Sequence, residues 1–474
     1  MIERLTSDSR RAAPGSAFFA WPGRAGDGRR HIGEAVARGC AAVLWEAGAD
    51  EGGFRWNPDW PVPNVPVRNL RHEAGFLANA FHGRPSEAMW VCGVTGTNGK
   101  TSCAQWIAAF LSIHGARAGV LGTLGNGFPG ALDTATHTTP DVLDLHRLLA
   151  ELRSAGAEAI AMEVSSHGLD QERVNGVAFD CALFTNLTQD HLDYHGSMAA
   201  YAEAKTRLFT MPGLQAAVLN LDDALGVQLA QRLAGTGVRT LGYSLSGAAI
   251  GTAESLSGTL LPDGRLAIAS PQGRAEVRLP QVGRFNAANA LGVLGCLLAR
   301  GLPFDAASRL LEQLPPVPGR MQRVGDRPLV IVDYAHTPDA LDKVLHALRP
   351  VAQARGGKLW AVFGAGGGRD AAKRPAMGRA ASRLADRVVL TSDNPRDEAP
   401  EAIIAAIRGG IEGACEIEPD RAAAIAAAIG AADASDVVLL AGKGHESTQE
   451  VAGERRPFSD AAVAAAALAK RRAP

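Results

Sequence analysis

The residues best equipped for chemistry run together as Gly93-Val94-Thr95-Gly96-Thr97-Asn98-Gly99-Lys100-Thr101. Glycines let backbone N–H groups close on phosphate oxygens, and the N-terminus of a following helix adds positive potential. Lys100 would neutralise terminal phosphates and Thr101 would offer a hydroxyl to Mg²⁺. The common G-x-x-x-x-G-K-[ST] spacing needs glycine where Val94 stands, so this is a shorter T-G-T-N-G-K-T form. The flanks support it. Met89 to Cys92 reads as a buried strand, and Trp106, Ile107, Phe110, Leu111 and His114 recur at helical spacing across Ser102 to His114. A ligand-free glycine turn is the plain alternative; ATP binding is the working reading.

Three further groups stand out, two of them closing predicted strands. Glu163 closes the strand Ala159 to Val164, His191 follows the strand Cys181 to Leu187, and Lys205 lies in Tyr201-Ala202-Glu203-Ala204-Lys205-Thr206. Singly, a histidine is commonly structural, and a lysine among apolar helix residues commonly extends its ammonium to water. Together they offer Mg²⁺ a carboxylate and an imidazole beside the Thr101 hydroxyl. Mg²⁺ prefers oxygen, so an unmodified ammonium cannot join the set; a carbamylated Lys205 would present a carboxylate instead.

Composition narrows the class. The 474 residues imply two to four domains, and a formal net charge of −1 gives no basic footprint for extended nucleic-acid binding. Six scattered cysteines (Cys40, Cys92, Cys103, Cys181, Cys296, Cys415) form no C-x-x-C pair, which suits reduced, buried thiols. No export signal follows Met1, and the stretch Ala461 to Ala469 is too short to cross a bilayer, so a cytoplasmic protein without membrane insertion is expected. Only seven of the 48 basic residues are lysines. A lysine inside a motif is therefore a candidate for chemistry that a guanidinium cannot do.

The elements that must position these groups read as α/β throughout. Residues 1–87 suggest a small α/β unit, with strands at Ala17 to Trp21 and Ala41 to Trp45, an irregular stretch from Asn57 to Pro66, and a helix from Leu70 to Phe81. Gly83-Arg84-Pro85-Ser86 reads as a linker. Residues 88–316 alternate strand and helix, implying a parallel sheet whose strand ends gather ligands, with an antiparallel extension between Thr240 and Gln281 and a helix from Arg284 to about Ala299. After Pro315-Pro316-Val317-Pro318-Gly319, residues 317–474 carry strands at Leu329 to Asp333, Leu359 to Phe363, Val388 to Thr391 and Val437 to Ala441, expected to form a doubly wound domain.

These motifs, with Glu163-Val164-Ser165-Ser166-His167, Thr185-Asn186-Leu187, Asp190-His191-Leu192-Asp193, Asp333-Tyr334-Ala335-His336 and Gly442-Lys443-Gly444-His445-Glu446, make the whole chain resemble the Mur ligases, and among them the MurE type. The resemblance implies an N-terminal UDP-binding domain, a central P-loop ATPase-type domain and a C-terminal Rossmann-like domain. It implies an ATP- and Mg²⁺-dependent ligase that phosphorylates the γ-carboxylate of D-glutamate in UDP-N-acetylmuramoyl-L-alanyl-D-glutamate, then captures the acyl phosphate with an amine, for peptidoglycan precursor synthesis.

By the same resemblance, Gly96, Thr97, Asn98, Gly99, Lys100, Thr101, Asn289, Arg320, Asp333 and His336 meet ATP. Thr101, Glu163, His191 and carbamylated Lys205 hold Mg²⁺, with Lys100, Glu163, His191 and Lys205 as the catalytic set. Ser9, Arg10, Thr138, Thr139, Ser165, Gln171 and Arg173 match contacts to the UDP-muramoyl dipeptide, while Arg369, Asn394, Arg396, Gly442 and Glu446 match contacts to meso-diaminopimelate. Asn286 and Asn289 also read as helix caps, as do Thr138 and Thr139 before Asp141, and Arg396 as a surface cation. Gly368 and Thr448 depart from the family pattern, which more often has an acidic residue and Tyr there. A lysine-adding or folate-directed sister ligase and a non-catalytic nucleotide-binding relative are the alternatives. A monomer acting on small molecules is expected.

Overall fold

The computed structural model describes residues 1–23, 26–48, 54–261, 263–280, 283–368 and 370–472. They pack as two compact units: Met1–Thr95, Ala108–Ala182 and Ala204–Ala216 in the first, Gly96–Ile107, Leu183–Glu203 and Ala217–Pro474 in the second.

In the first unit, β1 (Arg4–Thr6), β2 (Ser16–Ala20), β3 (Ala42–Glu46) and β4 (Asn64–Val67) form a parallel sheet in that order. β4 falls within the stretch expected to be irregular. It tolerates Pro66 because it is the sheet edge, where a missing N–H costs no ladder bond. Glu46, ending β3, accepts the N–H groups of Asn69 (2.8 Å) and Leu70 (2.6 Å), so a distant carboxylate caps the helix Leu70–Phe81. The expected linker is instead fastened: a 3₁₀ turn spans Pro85–Ala88, Pro85 and Ser86 are buried, and Ser86 Oγ accepts the Ala178 N–H at 3.1 Å.

A second run of strands in this unit comprises β5 (Trp90–Thr95), β6 (Ala118–Gly122), β7 (Gly125–Phe128), β8 (Ala131–Asp133) and β9 (Ala159–Glu163), in the order β5-β9-β6-β7-β8. The first three are parallel and, apart from a half-buried Trp90, buried along their length, apolar up to the polar Thr95 and Glu163 at their ends, as a sheet covered on both faces requires. The β6-β7-β8 meander is antiparallel and had no sequence counterpart, because its short strands are glycine-rich.

Helix Val142–Ser154 begins at Asp141, whose carboxylate accepts the Leu143 N–H at 3.1 Å. Asp141, not Thr138 or Thr139, is therefore the cap. The same helix buries His146 completely, and its Nε2–H donates to the Asn175 carbonyl at 2.8 Å. Burial pushes its pKa down to about 4 from an ordinary 6.5. Between those values the unfolded chain takes a proton that the native state refuses, so stability falls as pH drops through this window. The loss is on the order of 3 kcal/mol by pH 4. His146→Gln should flatten that part of the profile, measured as urea midpoints at pH 7 and pH 4.5; an unchanged slope would contradict the assignment.

Largely in the second unit, β10 (Cys181–Phe184), β11 (Ala216–Asn220), β12 (Arg239–Ser244), β13 (Glu254–Leu260), β14 (Arg265–Ser270) and β15 (Gly273–Arg278) lie side by side in chain order. β13, β14 and β15 are antiparallel as expected, whereas β12 and β13 pair in parallel. The third region follows its sequence pattern closely. β16 (Gln322–Asp326), β17 (Leu329–Asp333), β18 (Leu359–Phe363), β19 (Arg387–Leu390), β20 (Glu416–Ile417) and β21 (Val437–Ala441) adopt the order β16-β17-β21-β18-β19-β20, all parallel except edge strand β16. Alternate residues pack on opposite faces. Leu329 and Ile331 meet Leu341, Leu345, Met377 and Ile407 on one side; Val330 and Val332 join the cluster with Ile425, Ile429 and Leu468 on the other. This is a doubly wound sheet. None of the six cysteines forms a disulfide, and five are buried.

Candidate active site

The glycine-rich turn links β5 to the helix Lys100–Ile113. Gly96 has φ +145°, and a Cβ there would lie 1.9 Å from Thr185 Oγ1; one on Gly99 (φ +91°) would lie 2.5 Å from Asn289 Oδ1. Only glycine fits either place. Lys100 Nζ donates to the carbonyls of Gly96 (2.9 Å) and Thr97 (2.8 Å), which hold the ammonium across the turn. This cradle fits a phosphate chain: backbone donors, a helix N-terminus and a pinned cation.

The turn is braced by the segment after β10. Thr185 Oγ1 (2.6 Å) and Asn186 Nδ2 (3.0 Å) donate to the Asn98 carbonyl, while Asn186 Oδ1 accepts the Asn98 N–H (3.1 Å) and Asn186 O that of Thr97 (2.8 Å). Thr97 Oγ1 accepts the Thr188 N–H (3.0 Å) and meets the Tyr201 hydroxyl (3.1 Å). Sequence reading recognised Thr185-Asn186-Leu187 as a motif but not this job; two polar residues directly after an apolar strand were the available signal.

Asn289 lies inside the helix Arg284–Ala299, which starts at Gly283 without a side-chain cap, so neither Asn286 nor Asn289 is a cap; both are buried. Arg320 Nη2 donates to Thr101 Oγ1 at 3.1 Å, and its guanidinium stacks 4.3 Å from the Tyr334 ring centroid. Asp333 accepts the Met321 (2.7 Å) and Ala335 (2.8 Å) N–H groups, and burial pushes its carboxyl pKa up. His336 Nδ1–H donates to the Tyr334 carbonyl at 2.8 Å, leaving Nε2 with its lone pair. His191 takes a left-handed backbone (φ +54°), and its N–H donates to Asp190 Oδ1 at 2.9 Å.

A second cluster ends β19 and β21. Asn394 Nδ2 donates to Glu446 Oε2 (2.7 Å), and the Arg396 N–H donates to the Glu450 carbonyl (3.1 Å). Arg396 (φ +54°) is partly buried and its Nη1 donates to the Gly367 carbonyl at 2.6 Å, which excludes a loose surface cation. Gly442 has φ +115°, and a Cβ there would fall 2.3 Å from Asp393 Oδ2. Gly368 is also left-handed (φ +60°). Arg369 lies outside the described residues.

In the first unit, Glu163 is buried, and its Oε1 accepts the Thr123 N–H at 2.7 Å. Thr139 Oγ1 donates to the Glu163 carbonyl (2.9 Å) and accepts the Ser165 N–H (2.9 Å); Thr123 Oγ1 meets Thr138 Oγ1 (3.1 Å). Arg173 donates to the Thr139 carbonyl (2.9 Å) and twice to Gln171 Oε1 (3.0 and 2.6 Å). Six of the anticipated residues are thus brought together. Ser9 Oγ donates to Glu34 (2.7 Å), and Arg10 pairs with Asp8 through two bonds (2.9 and 2.8 Å). Lys205 is 1% exposed, so its ammonium does not reach out to water.

Comparison with known proteins gives a consistent picture. Residues 1–82 match the Mur ligase family catalytic domain, 94–297 the Mur ligase middle domain, and 319–444 the Mur ligase glutamate ligase domain. A UDP-N-acetylmuramoyl-L-alanyl-D-glutamate–2,6-diaminopimelate ligase of Ralstonia nicotianae is 52% identical, over 98% of this chain and 93% of its own. Its namesake from Pseudomonas aeruginosa is 51% identical, over 99% and 95%. A solved structure of a ligase with that name is 36% identical, covering 100% of this chain and 96% of its own with a TM-score of 0.69. MurF from Acinetobacter baumannii shares the fold at 21% identity and a TM-score of 0.66, over 93% and 90%.

Proposed function

Since the chain belongs to the Mur ligase family, we propose that it joins meso-2,6-diaminopimelate to the D-glutamate γ-carboxylate of UDP-N-acetylmuramoyl-L-alanyl-D-glutamate, using ATP. The observation that carries this reading is the cluster at the ends of β19 and β21. There Asn394 bonds the Glu446 carboxylate, and the Arg396 guanidinium bonds the carbonyl of Gly367, whose N–H bonds the Asn394 carbonyl; a carboxylate and a guanidinium in one cluster suit a side chain that ends in both an ammonium and a carboxylate. Lysine lacks the carboxylate, so Arg396 disfavours it.

The reaction needs charge neutralisation and alignment above all, because a carboxylate must approach a triphosphate. Lys100 and the turn bind the phosphates. A carboxylate oxygen attacks the γ-phosphorus and ADP leaves; the amine nitrogen then attacks the acyl carbon, and phosphate leaves as the amide forms. Thr138, Thr139, Ser165, Gln171 and Arg173 hold the muramoyl dipeptide, while Ser9 and Arg10 lie toward its uridine. Asn289 meets the adenine of ATP, and Arg320, Asp333 and His336 meet its ribose and phosphates.

The hydroxyl of Thr101 and the carboxylate of Glu163 suit Mg²⁺, His191 less so, and Lys205 only when carbamylated. Bound there, Mg²⁺ would spread the negative charge of the phosphates. ATP and a nucleotide-sugar substrate place this work in the cytoplasm.

The test is ADP release with the UDP-muramoyl dipeptide and each amino acid in turn. meso-Diaminopimelate should be preferred over lysine by at least about tenfold in kcat/KM. Arg396→Ala should raise its KM about tenfold or more while moving that for ATP little. The intact protein should carry an acid-labile mass increment on Lys205. Absence of amine-dependent ADP formation would dismiss the reading.

A further inference from the structure

Lys443 is one of seven lysines and is fully buried. All three of its N–H groups are used: Nζ donates to Asn394 Oδ1 (2.9 Å), Glu446 Oε2 (2.9 Å) and the Thr448 carbonyl (2.8 Å). Asn394 closes the triangle by donating from Nδ2 to the same Glu446 oxygen (2.7 Å), and its Oδ1 also accepts the Glu450 N–H (3.1 Å). Three acceptors converging on one point suit a compact ammonium; a planar guanidinium could not serve them in that space. Thr448 contributes only its carbonyl, which explains why its side chain can depart from the family pattern.

The backbones carrying this cluster are themselves tied. Arg421 donates to the carbonyls of Ser392 (3.1 Å) and Ala441 (2.9 Å), directly before Asp393-Asn394 and Gly442-Lys443. Arg421 sets the two loops, and Lys443 sets the side chains on them.

We propose that Lys443 is a positioning residue of the amino-acid site: it turns the Asn394 amide one way round, engages Glu446 Oε2, and leaves Glu446 Oε1 as the oxygen offered to the incoming ammonium. The inference rests on the diaminopimelate reading above. Its consequence is selectivity. With Lys443 present, the Lys443–Glu446 pair is neutral, and Arg396, whose Nε lies 3.9 Å from a Glu450 carboxylate oxygen, offers its guanidinium to a distal carboxylate, so a side chain bearing both charges is matched better than a bare ammonium. Without Lys443, Glu446 stands as a whole negative charge and tolerates lysine better.

Lys443→Met should raise the KM for meso-diaminopimelate about tenfold or more and cut the diaminopimelate-over-lysine ratio by a similar factor, with the KM for ATP within about threefold. A merely structural loss would move all substrates together, and that result, or an unmoved KM, overturns the inference. The double variant Lys443→Met/Glu446→Gln removes both charges of the pair, leaving neither without its partner, and serves even if the single variant does not fold. Its KM for diaminopimelate should lie within about threefold of Glu446→Gln alone, since the Glu450 N–H still holds the Asn394 amide and the rest of the effect of Lys443 passes through Glu446; a further tenfold loss overturns the inference. Absence of diaminopimelate-dependent ADP formation in the wild type would overturn the underlying reading and this inference with it. Wild-type activity with an unmoved KM in the variant removes only the role of Lys443.

Discussion

Lys100→Ala should lower kcat/KM for ATP by at least about 10²–10³-fold. The side chain is the only lysine in the phosphate turn, and two carbonyls of that turn fix its ammonium at 2.8 and 2.9 Å. The cation is therefore in place before any phosphate arrives, and its removal withdraws charge where the transferring phosphoryl group gathers it. Lys100→Arg should rescue little, because a guanidinium fork cannot replace a point charge held between the carbonyls of two adjacent residues, Gly96 and Thr97. ADP release and thermal unfolding, measured on the same samples, separate lost chemistry from lost fold. The unfolding temperature should move by only about 2–4 °C. Activity within a few-fold of wild type would dismiss phosphate binding at this turn.

Asp460→Ala should give the largest loss of stability, about 3–5 kcal/mol in the region around β21. Arg421 and Asp460 are both fully buried and meet through two bonds, Nε to Oδ1 at 2.7 Å and Nη2 to Oδ2 at 2.6 Å. Deleting the carboxylate leaves a buried guanidinium whose remaining hydrogen bonds, among the described residues, go to two carbonyls. Replacing both partners with apolar residues (Arg421→Met/Asp460→Leu) should recover much of the loss. It should not recover all, since Ser392 O and Ala441 O would then lack their donor. The measurement is the earliest transition in urea unfolding, with hydrogen exchange in the helix Arg421–Ala431. If the single variant unfolds like wild type, the pair is not supporting this region.

What could be read from the chain beforehand follows from the physics of each signal. The strands at Leu329–Asp333, Leu359–Phe363 and Val437–Ala441 were legible to the residue because parallel strands covered on both faces are unbroken apolar runs. Helix Leu70–Phe81 was legible by its periodicity, but its cap was not, since Glu46 arrives from a strand more than twenty residues earlier. β4 was hidden by Pro66. The phosphate turn announced itself through glycine, lysine and threonine, while its brace at Thr185 and Asn186 depends on bonds between segments nearly ninety residues apart. Asn289 was open to reading as a cap because the onset of its helix, at Gly283, carries no sequence signal of its own. Lys443 was conspicuous only for being a lysine among arginines.

The burial of Lys205 and Lys443 also governs how this surface answers to labelling reagents. Acylating dyes and amine-reactive cross-linkers find few targets on a chain so poor in lysine, and two of those few are sealed inside. Arginine-directed dicarbonyls will report far more of the exterior, and a lysine-based distance map will leave most of it blank.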